Sequence, residues 1–163
     1  MDGVPHPALA ADMRFPVQAR HAATPLLLLL AGCGRVTDAD KQAAVATVRR
    51  NLDAMNAGDI DAMMATMHPR SPVYAKMPDL ARSIAEKFKL KYVLEKAEVE
   101  TAAPDAIRVG FVQVTHKVSG EEDFPDNRVF GTHLLRRDGD AWKIWDTQAR
   151  RMERLDEAAG EEK

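Results

Sequence analysis

The chain has 163 residues, of which 45% are hydrophobic and 29% charged, and its formal net charge is −2. This length and composition are typical of one globular domain with an apolar core, and they exclude a disordered chain. The charge balance lacks the basic excess of nucleic-acid-binding proteins, so we expect no nucleic-acid partner.

The N-terminal segment has the pattern of an export signal. Arg14 and Arg20 precede an apolar run of about ten residues that ends in the small residues Ala31 and Gly32. The run is much shorter than the ~20 residues that a membrane-spanning helix needs, so a permanent span is not expected. Residues 1–12 contain aspartates and prolines that are unusual in such a segment, and Met13 is the expected true start.

The end of this run, Leu29-Leu30-Ala31-Gly32-Cys33, resembles the lipobox of bacterial lipoproteins. The resemblance implies cleavage before Cys33 and a lipid on its thiol, which would attach the protein to a membrane. Cys33 is the only cysteine, so the exported chain would have neither a disulfide nor a free thiol. The alternative is a buried leucine-rich helix with an incidental cysteine.

We therefore expect a lipoprotein signal peptide in residues 1–32 and a lipidated tether in residues 33–37. The expected location is the cell envelope, facing the periplasm. Gly34 replaces the aspartate that resembles an inner-membrane retention signal, which favours the outer membrane over the inner one.

Apolar residues at helical spacing predict three helices after the tether. The three stripes are Val45, Val48, Leu52 and Met55, then Ile60, Met63, Met64 and Met67, then Leu80, Ile84 and Phe88. Thr37 or Asp38 can cap the first helix, and Gly58 can end it in the left-handed conformation. Asp59 can cap the second helix, which we expect to continue to His68-Pro69.

From Tyr92 onward, β-branched and aromatic residues predict four strands over residues 92–100, 107–118, 128–137 and 141–148. Asp138-Gly139 predicts a tight hairpin between the last two strands. The sequence thus predicts an α+β fold over residues 38–148, with three N-terminal helices packed on a curved four-stranded antiparallel sheet. Residues 149–163 are expected to form a charged tail that is helical from Met152.

The predicted domain resembles the nuclear transport factor 2-like superfamily, the cone-shaped domain shared with ketosteroid isomerase and polyketide cyclases. Met55-Asn56-Ala57-Gly58-Asp59 and Trp142-Lys143-Ile144-Trp145-Asp146-Thr147-Gln148 carry the resemblance. His68-Pro69-Arg70-Ser71-Pro72 is similar to a small subgroup without an assigned activity. No placement of Tyr and Asp matches the isomerase catalytic set, so the resemblance implies a fold but no reaction.

The predicted hairpin register brings polar side chains to one end of an apolar sheet face. It places His133 opposite Ile144 and diagonal to Asp146, where a carboxylate could orient an imidazole that acts as a general base. The alternative is a structural pair that seals the core. The candidate ligand-binding residues are His133, Asp146, Gln148, Trp142 and, on the neighbouring strand, Gln113.

The mature chain has no pattern typical of a metal or cofactor site. His68, His116 and His133 lack ligand-like spacing and have no cysteine partner, so no metal is predicted. No phosphate loop or dinucleotide fingerprint occurs, so no cofactor is predicted. His68 is expected at the end of the second helix, where an imidazole interacts favourably with the last carbonyls.

Three functional hypotheses remain from the sequence. The leading one is a membrane-anchored envelope protein that binds a small apolar ligand or an envelope partner without catalysis. The second is an isomerase, cyclase or hydrolase that uses His133 and Asp146. The third is a homodimeric assembly module that associates through Phe130, Leu134 and Trp145 on the outer sheet face.

Overall fold

The computed structural model describes residues 35–120 and 123–155. The predicted signal peptide, the predicted lipidation site Cys33, and residues 156–163 of the tail lie outside this range. Within the described range, no helix is both long enough and apolar enough to cross a membrane.

The described residues form helices followed by one antiparallel sheet. The helices are α1 (Asp38–Ala57), α2 (Ile60–Ala65) and α3 (Met77–Lys87), and the strands are β1 (Lys89–Ala103), β2 (Ala106–Ser119), β3 (Asn127–Asp138) and β4 (Ala141–Arg154). The strand order is β1-β2-β3-β4, and a 3₁₀ turn at Tyr74–Lys76 precedes α3. The predicted α+β class and four-stranded antiparallel sheet are confirmed.

Local polar residues set the ends of α1. Thr37 Oγ1 accepts a hydrogen bond from the Asp40 backbone N–H, and the Asp40 carboxylate accepts one from the Thr37 N–H, which completes a capping box. Gly58 ends the helix with φ 69°, a left-handed conformation that glycine adopts without a steric penalty. Both predicted ends of α1 are confirmed.

Helix α2 begins as predicted but is shorter. Asp59 Oδ1 accepts from the Ala62 N–H at 2.8 Å, and the helix ends at Ala65. Met67 lies beyond it, in a parallel β-bridge to Ile144. The expectation that the helix reaches His68 was wrong, because the chain leaves the helix to pair with the edge of β4.

The core lies between α1 and the sheet face that we call the inner face. Its buried members are Ala44, Val48, Ile107, Val109, Leu135, Trp142 and Ile144. Ile107, Val109 and Leu135 are completely buried, and truncating a buried isoleucine or leucine to alanine typically costs ~2–5 kcal/mol. The opposite side of the sheet is the outer face.

The two edge strands contain extra residues that form β-bulges. The register shifts leave Glu95 and Glu100 unpaired in β1, and Trp145 and Arg150 unpaired in β4. Each bulge bends its strand. Because side chains alternate between the two faces of a sheet, the extra residue also moves each following side chain to the face opposite the one that regular alternation would give it.

The β3–β4 hairpin differs from the predicted one. Its two turn residues are Gly139 and Asp140, with Asp138 opposite Ala141, and Leu135 faces Ile144 rather than Trp142. Gly139 adopts φ 61°, so the turn places the glycine first. Asp138 instead stays in the strand, where its carboxylate forms an ion pair with Lys143 at 2.9 Å.

Strand β4 is also longer than predicted. It continues to Arg154 and pairs with β3 as far as Asn127. The predicted helix starting at Met152 was therefore wrong for residues 152–154. Met152 pairs opposite Val129, and this long-range pairing outweighs the local helical preference of a charged segment.

Candidate functional site

The structure separates the two residues of the predicted acid/base pair. The shifted turn and the bulge at Trp145 together place His133 opposite Thr147, not opposite Ile144. Asp146, which precedes Thr147, therefore lies on the outer face, where its carboxylate accepts a hydrogen bond from Gln148 Nε2 at 3.3 Å. His133 and Asp146 thus lie on opposite faces of the sheet.

His133 lies on the inner face in an apolar setting. Its ring stacks on Phe111 with 4.4 Å between centroids, and its Nδ1 shares a hydrogen bond of 2.8 Å with the Thr147 hydroxyl. Burial lowers the pKa of His133 to about 4. A general base is most effective when its pKa is near the working pH, so a neutral His133 is a poor base near pH 7.

The other predicted ligand-binding residues are dispersed. Gln113 is half-buried on the inner face and donates from Nε2 to Thr115 Oγ1 at 3.3 Å. Gln148 lies on the outer face beside Asp146. Trp142 is buried in the core, and its indole N–H donates to the Asp40 carboxylate at 3.1 Å. The indole therefore fastens the start of α1 to β4.

The His-Pro-x-Ser-Pro segment attaches the chain after α2 to the edge of β4. His68 is 1% exposed; its backbone N–H donates to the Ile144 carbonyl, and its Nδ1 accepts from the Arg70 N–H. The Ser71 hydroxyl donates to the carbonyl of the bulged Trp145 at 2.6 Å. The segment thus satisfies backbone groups at the edge and the bulge, which is a structural role.

The predicted outer-face aromatics are covered by arginine side chains. The Arg151 guanidinium lies 4.0 Å from the ring centroid of Phe130, and that of Arg136 lies 4.4 Å from a ring of Trp145. These contacts leave less apolar surface for self-association than the sequence suggests.

The bulged residues also meet on this outer face. Glu100 in β1 and Arg150 in β4 form two hydrogen bonds of 2.8 and 3.0 Å across the two central strands. Gly110 and Thr132 are the small residues that lie beneath the pair: a Cβ on Gly110 would meet the Glu100 carboxylate, and Thr132 Oγ1 lies 3.3 Å from it.

The clearest candidate binding site is an apolar cleft at the C-terminal end of α1. It has a volume of about 140 Å³. Its lining residues are Ala54, Met55, Gly58, Asp59, Ile60 and Met63 from α1, α2 and the two residues between them, Met77, Leu80, Ala81, Ile84, Ala85 and Phe88 from α3 and its end, and Leu90 and Tyr92 from β1. We call it the α3 cleft.

Helix α3 forms one wall of the α3 cleft and is packed loosely. None of its residues is buried, and Leu80 is 52% exposed. Its apolar side turns toward the cleft through residues spaced by three and four, such as Leu80 and Ile84. In the sequence, this stripe and the methionines of α2 predicted helices but not a cleft between them.

No metal site is apparent in residues 35–120 and 123–155. No group of three or more His, Cys, Asp or Glu side chains there could hold an ion. His116 instead pairs with Asp126, at 2.7 Å between Nδ1 and Oδ2.

Residues 46–155 match the family described as the C-terminal domain of the anti-sigma-I factor RsgI9. The chain belongs to this family. Among curated proteins, no sequence matches the chain.

Solved structures agree on the fold. An uncharacterised cystatin-like protein from Caulobacter vibrioides superimposes with a TM-score of 0.60 at 14% identity, covering 75% of this chain and 96% of that one. A nuclear transport factor 2-like protein of unknown function from Shewanella oneidensis has a TM-score of 0.51 at 15% identity, with coverages of 66% and 96%.

The beta subunit of benzoate 1,2-dioxygenase from Burkholderia mallei also has this fold. Its TM-score is 0.53 at 16% identity, and the superposition covers 71% of this chain and 91% of the subunit. The expected nuclear transport factor 2-like fold is confirmed, and likenesses at such low identity establish the fold alone.

Proposed function

We propose that this chain is a lipid-anchored envelope protein whose nuclear transport factor 2-like domain binds a small apolar ligand in the α3 cleft without catalysis. The observation that carries the proposal is the cleft itself, with its largely apolar lining and its volume of about 140 Å³. A dry cavity of about 150 Å³ lined by apolar side chains is known to hold one benzene molecule. A single aromatic ring or a short branched alkyl group is therefore the right size.

The arrangement of titratable groups supports binding rather than catalysis. His133 and Asp146 lie on opposite faces, and the one carboxylate that lines the cleft, that of Asp59, caps α2. Acid/base catalysis needs a proton donor or acceptor within hydrogen-bond reach of the substrate and with a suitable pKa. The family description, taken from an anti-sigma factor rather than from an enzyme, agrees with a binding role.

Ligand binding can be tested with benzyl alcohol, an uncharged single-ring probe whose binding is followed by NMR shifts of the cleft residues. We expect saturable binding that weakens at least tenfold in Ala85→Phe, because the added ring occupies the cleft. Ala43→Phe is the matched control, since Ala43 is an exposed residue of α1 that does not line the cleft. Equal binding by both variants would place the site elsewhere, and no binding by the wild type would contradict the proposal.

The anchor requires a separate test. Metabolic labelling with a fatty acid, followed by membrane fractionation, should label the wild-type chain and not Cys33→Ser, which should be released from membranes. Unlabelled chain that stays on membranes in both cases would contradict lipid anchoring. The same fractionation would show whether the outer membrane holds the protein.

A further inference from the structure

The only charge on the lining of the α3 cleft is negative. Among its lining residues Asp59 is the only acid, and none is basic. Asp59 Oδ1 accepts the capping hydrogen bond from the Ala62 N–H, whereas its other oxygen, Oδ2, takes part in no hydrogen bond or ion pair with a described residue. Half of this exposed carboxylate is therefore available to a bound molecule.

Two aromatic rings line the same cleft. They belong to Phe88 and Tyr92, and an aromatic face attracts a cation through its quadrupole. Burial raises the pKa of the Tyr92 phenol, so this side chain stays neutral and adds no second negative charge. The methionine thioethers of the lining add soft, polarisable contacts that suit an alkylated or aromatic group.

The basic residues near the cleft do not line it, and among them Arg50 lines a second pocket that shares Asp59 with the cleft. Lys87 and Lys89 flank Phe88 in the sequence, but neither lines the cleft, and Lys87 already has an interaction within the protein. A ligand carboxylate would approach Asp59 without a lining cation to compensate, and like charges at short distance repel.

We infer that the α3 cleft selects a molecule that combines a benzene-sized apolar group with a positively charged nitrogen, as in an arylalkyl ammonium. The apolar group fills the cleft between α2 and α3, and the ammonium donates to Asp59 Oδ2 at the mouth. This inference rests on the proposed function, because it specifies the ligand of the same site.

Three probes with the same ring distinguish a preference for a cationic, a neutral or an anionic ligand: benzylammonium chloride, benzyl alcohol and sodium benzoate. Each is titrated into the purified protein, and binding is followed by NMR shifts of the cleft residues. We expect benzylammonium to bind about two- to fivefold more tightly than benzyl alcohol, the range of an exposed charge pair, and benzoate to bind most weakly. Raising the salt concentration should reduce the preference.

Asp59→Asn is the decisive variant, because asparagine caps helices as well as aspartate and α2 should remain folded. It should lose the preference for the ammonium over the alcohol. Asp61→Asn removes a neighbouring charge that does not line the cleft and should keep the preference. Equal affinity for all three probes, or a preference for the ammonium that survives in Asp59→Asn, would overturn this inference but not the proposed function. If no probe bound at all, the proposed function would be overturned as well.

Discussion

The side-chain amide of Asn56 pairs with both backbone groups of Tyr92. Asn56 Nδ2 donates to the Tyr92 carbonyl at 2.8 Å, and Asn56 Oδ1 accepts from the Tyr92 N–H at 2.8 Å. Since β1 is an edge strand, these groups have no partner strand on that side. The amide substitutes for one residue of a missing strand and fastens the end of α1 to the wall of the α3 cleft.

Removing this amide should destabilise the domain. We expect Asn56→Ala to lower the free energy of unfolding by about 1–2 kcal/mol, since each lost hydrogen bond contributes about 0.5–1.5 kcal/mol. Chemical denaturation measures the change. Gln42→Ala, on an exposed position of α1, is the control and should have little effect. A loss of the same size in the control would argue against a specific role for the Asn56–Tyr92 pair.

The bulge at Trp145 should depend on Ser71. Ser71→Ala removes the donor to the Trp145 carbonyl, and an unsatisfied buried group costs about 1–3 kcal/mol. Ser83→Ala, on an exposed position of α3, is the matched control and should be neutral or slightly stabilising because alanine favours helices. Thermal melting of the two variants should show a lower Tm for the first only.

His133 should make stability fall on acidification. Its pKa is about 4 in the folded chain and near 6.5 when unfolded, so between these values the unfolded state binds a proton that the folded state does not. The contribution is present above pH 6.5 and is lost as the pH falls toward about 4. Denaturation at pH 7 and pH 5 should show a smaller difference in His133→Gln than in wild type, and an equal difference in the two would contradict a neutral, buried imidazole.

Substitution of a sheet glycine by alanine should destabilise the domain more at Gly131 than at Gly110. A Cβ on Gly131 would lie 2.5 Å from Phe111 Cζ and 2.6 Å from the Gln148 carbonyl oxygen, which belongs to backbone. A Cβ on Gly110 would meet mainly the end of the flexible Glu100 side chain, at 2.5 Å from Oε1. We expect Gly131→Ala to cost at least the ~1–3 kcal/mol of an overpacked core and Gly110→Ala less, as measured by chemical denaturation. The reverse order would contradict the described packing.

Local interactions made much of the fold predictable. Thr37, Gly58 and Asp59 end or begin helices through contacts within three or four residues, so their roles follow from residue type and position alone. The strands were found because β-branched residues cluster between turn signals. The α+β class needed no knowledge of how the elements pack.

The candidate site was less predictable because its position depends on long-range contacts. One extra residue at Trp145 transfers Asp146 to the outer face and leaves His133 on the inner one, which removes the predicted pair. The α3 cleft arises where apolar helical stripes remain partly uncovered, as the exposure of Leu80 shows. Neither a bulge nor an incompletely buried apolar stripe has a distinct pattern in the local sequence.

By itself, the sequence determined the helix caps, the fold class and the family resemblance, because each depends on neighbouring residues or on the periodicity of apolar side chains. Only the tertiary structure decided which residues share a face and where the cleft opens. The physical reason is that strand register and helix packing are set by pairings between distant segments, such as Met67 with Ile144 and Asn56 with Tyr92. A shift of one residue in such a pairing moves side chains to the other face of the sheet and so changes the site, while the helices and strands themselves stay the same.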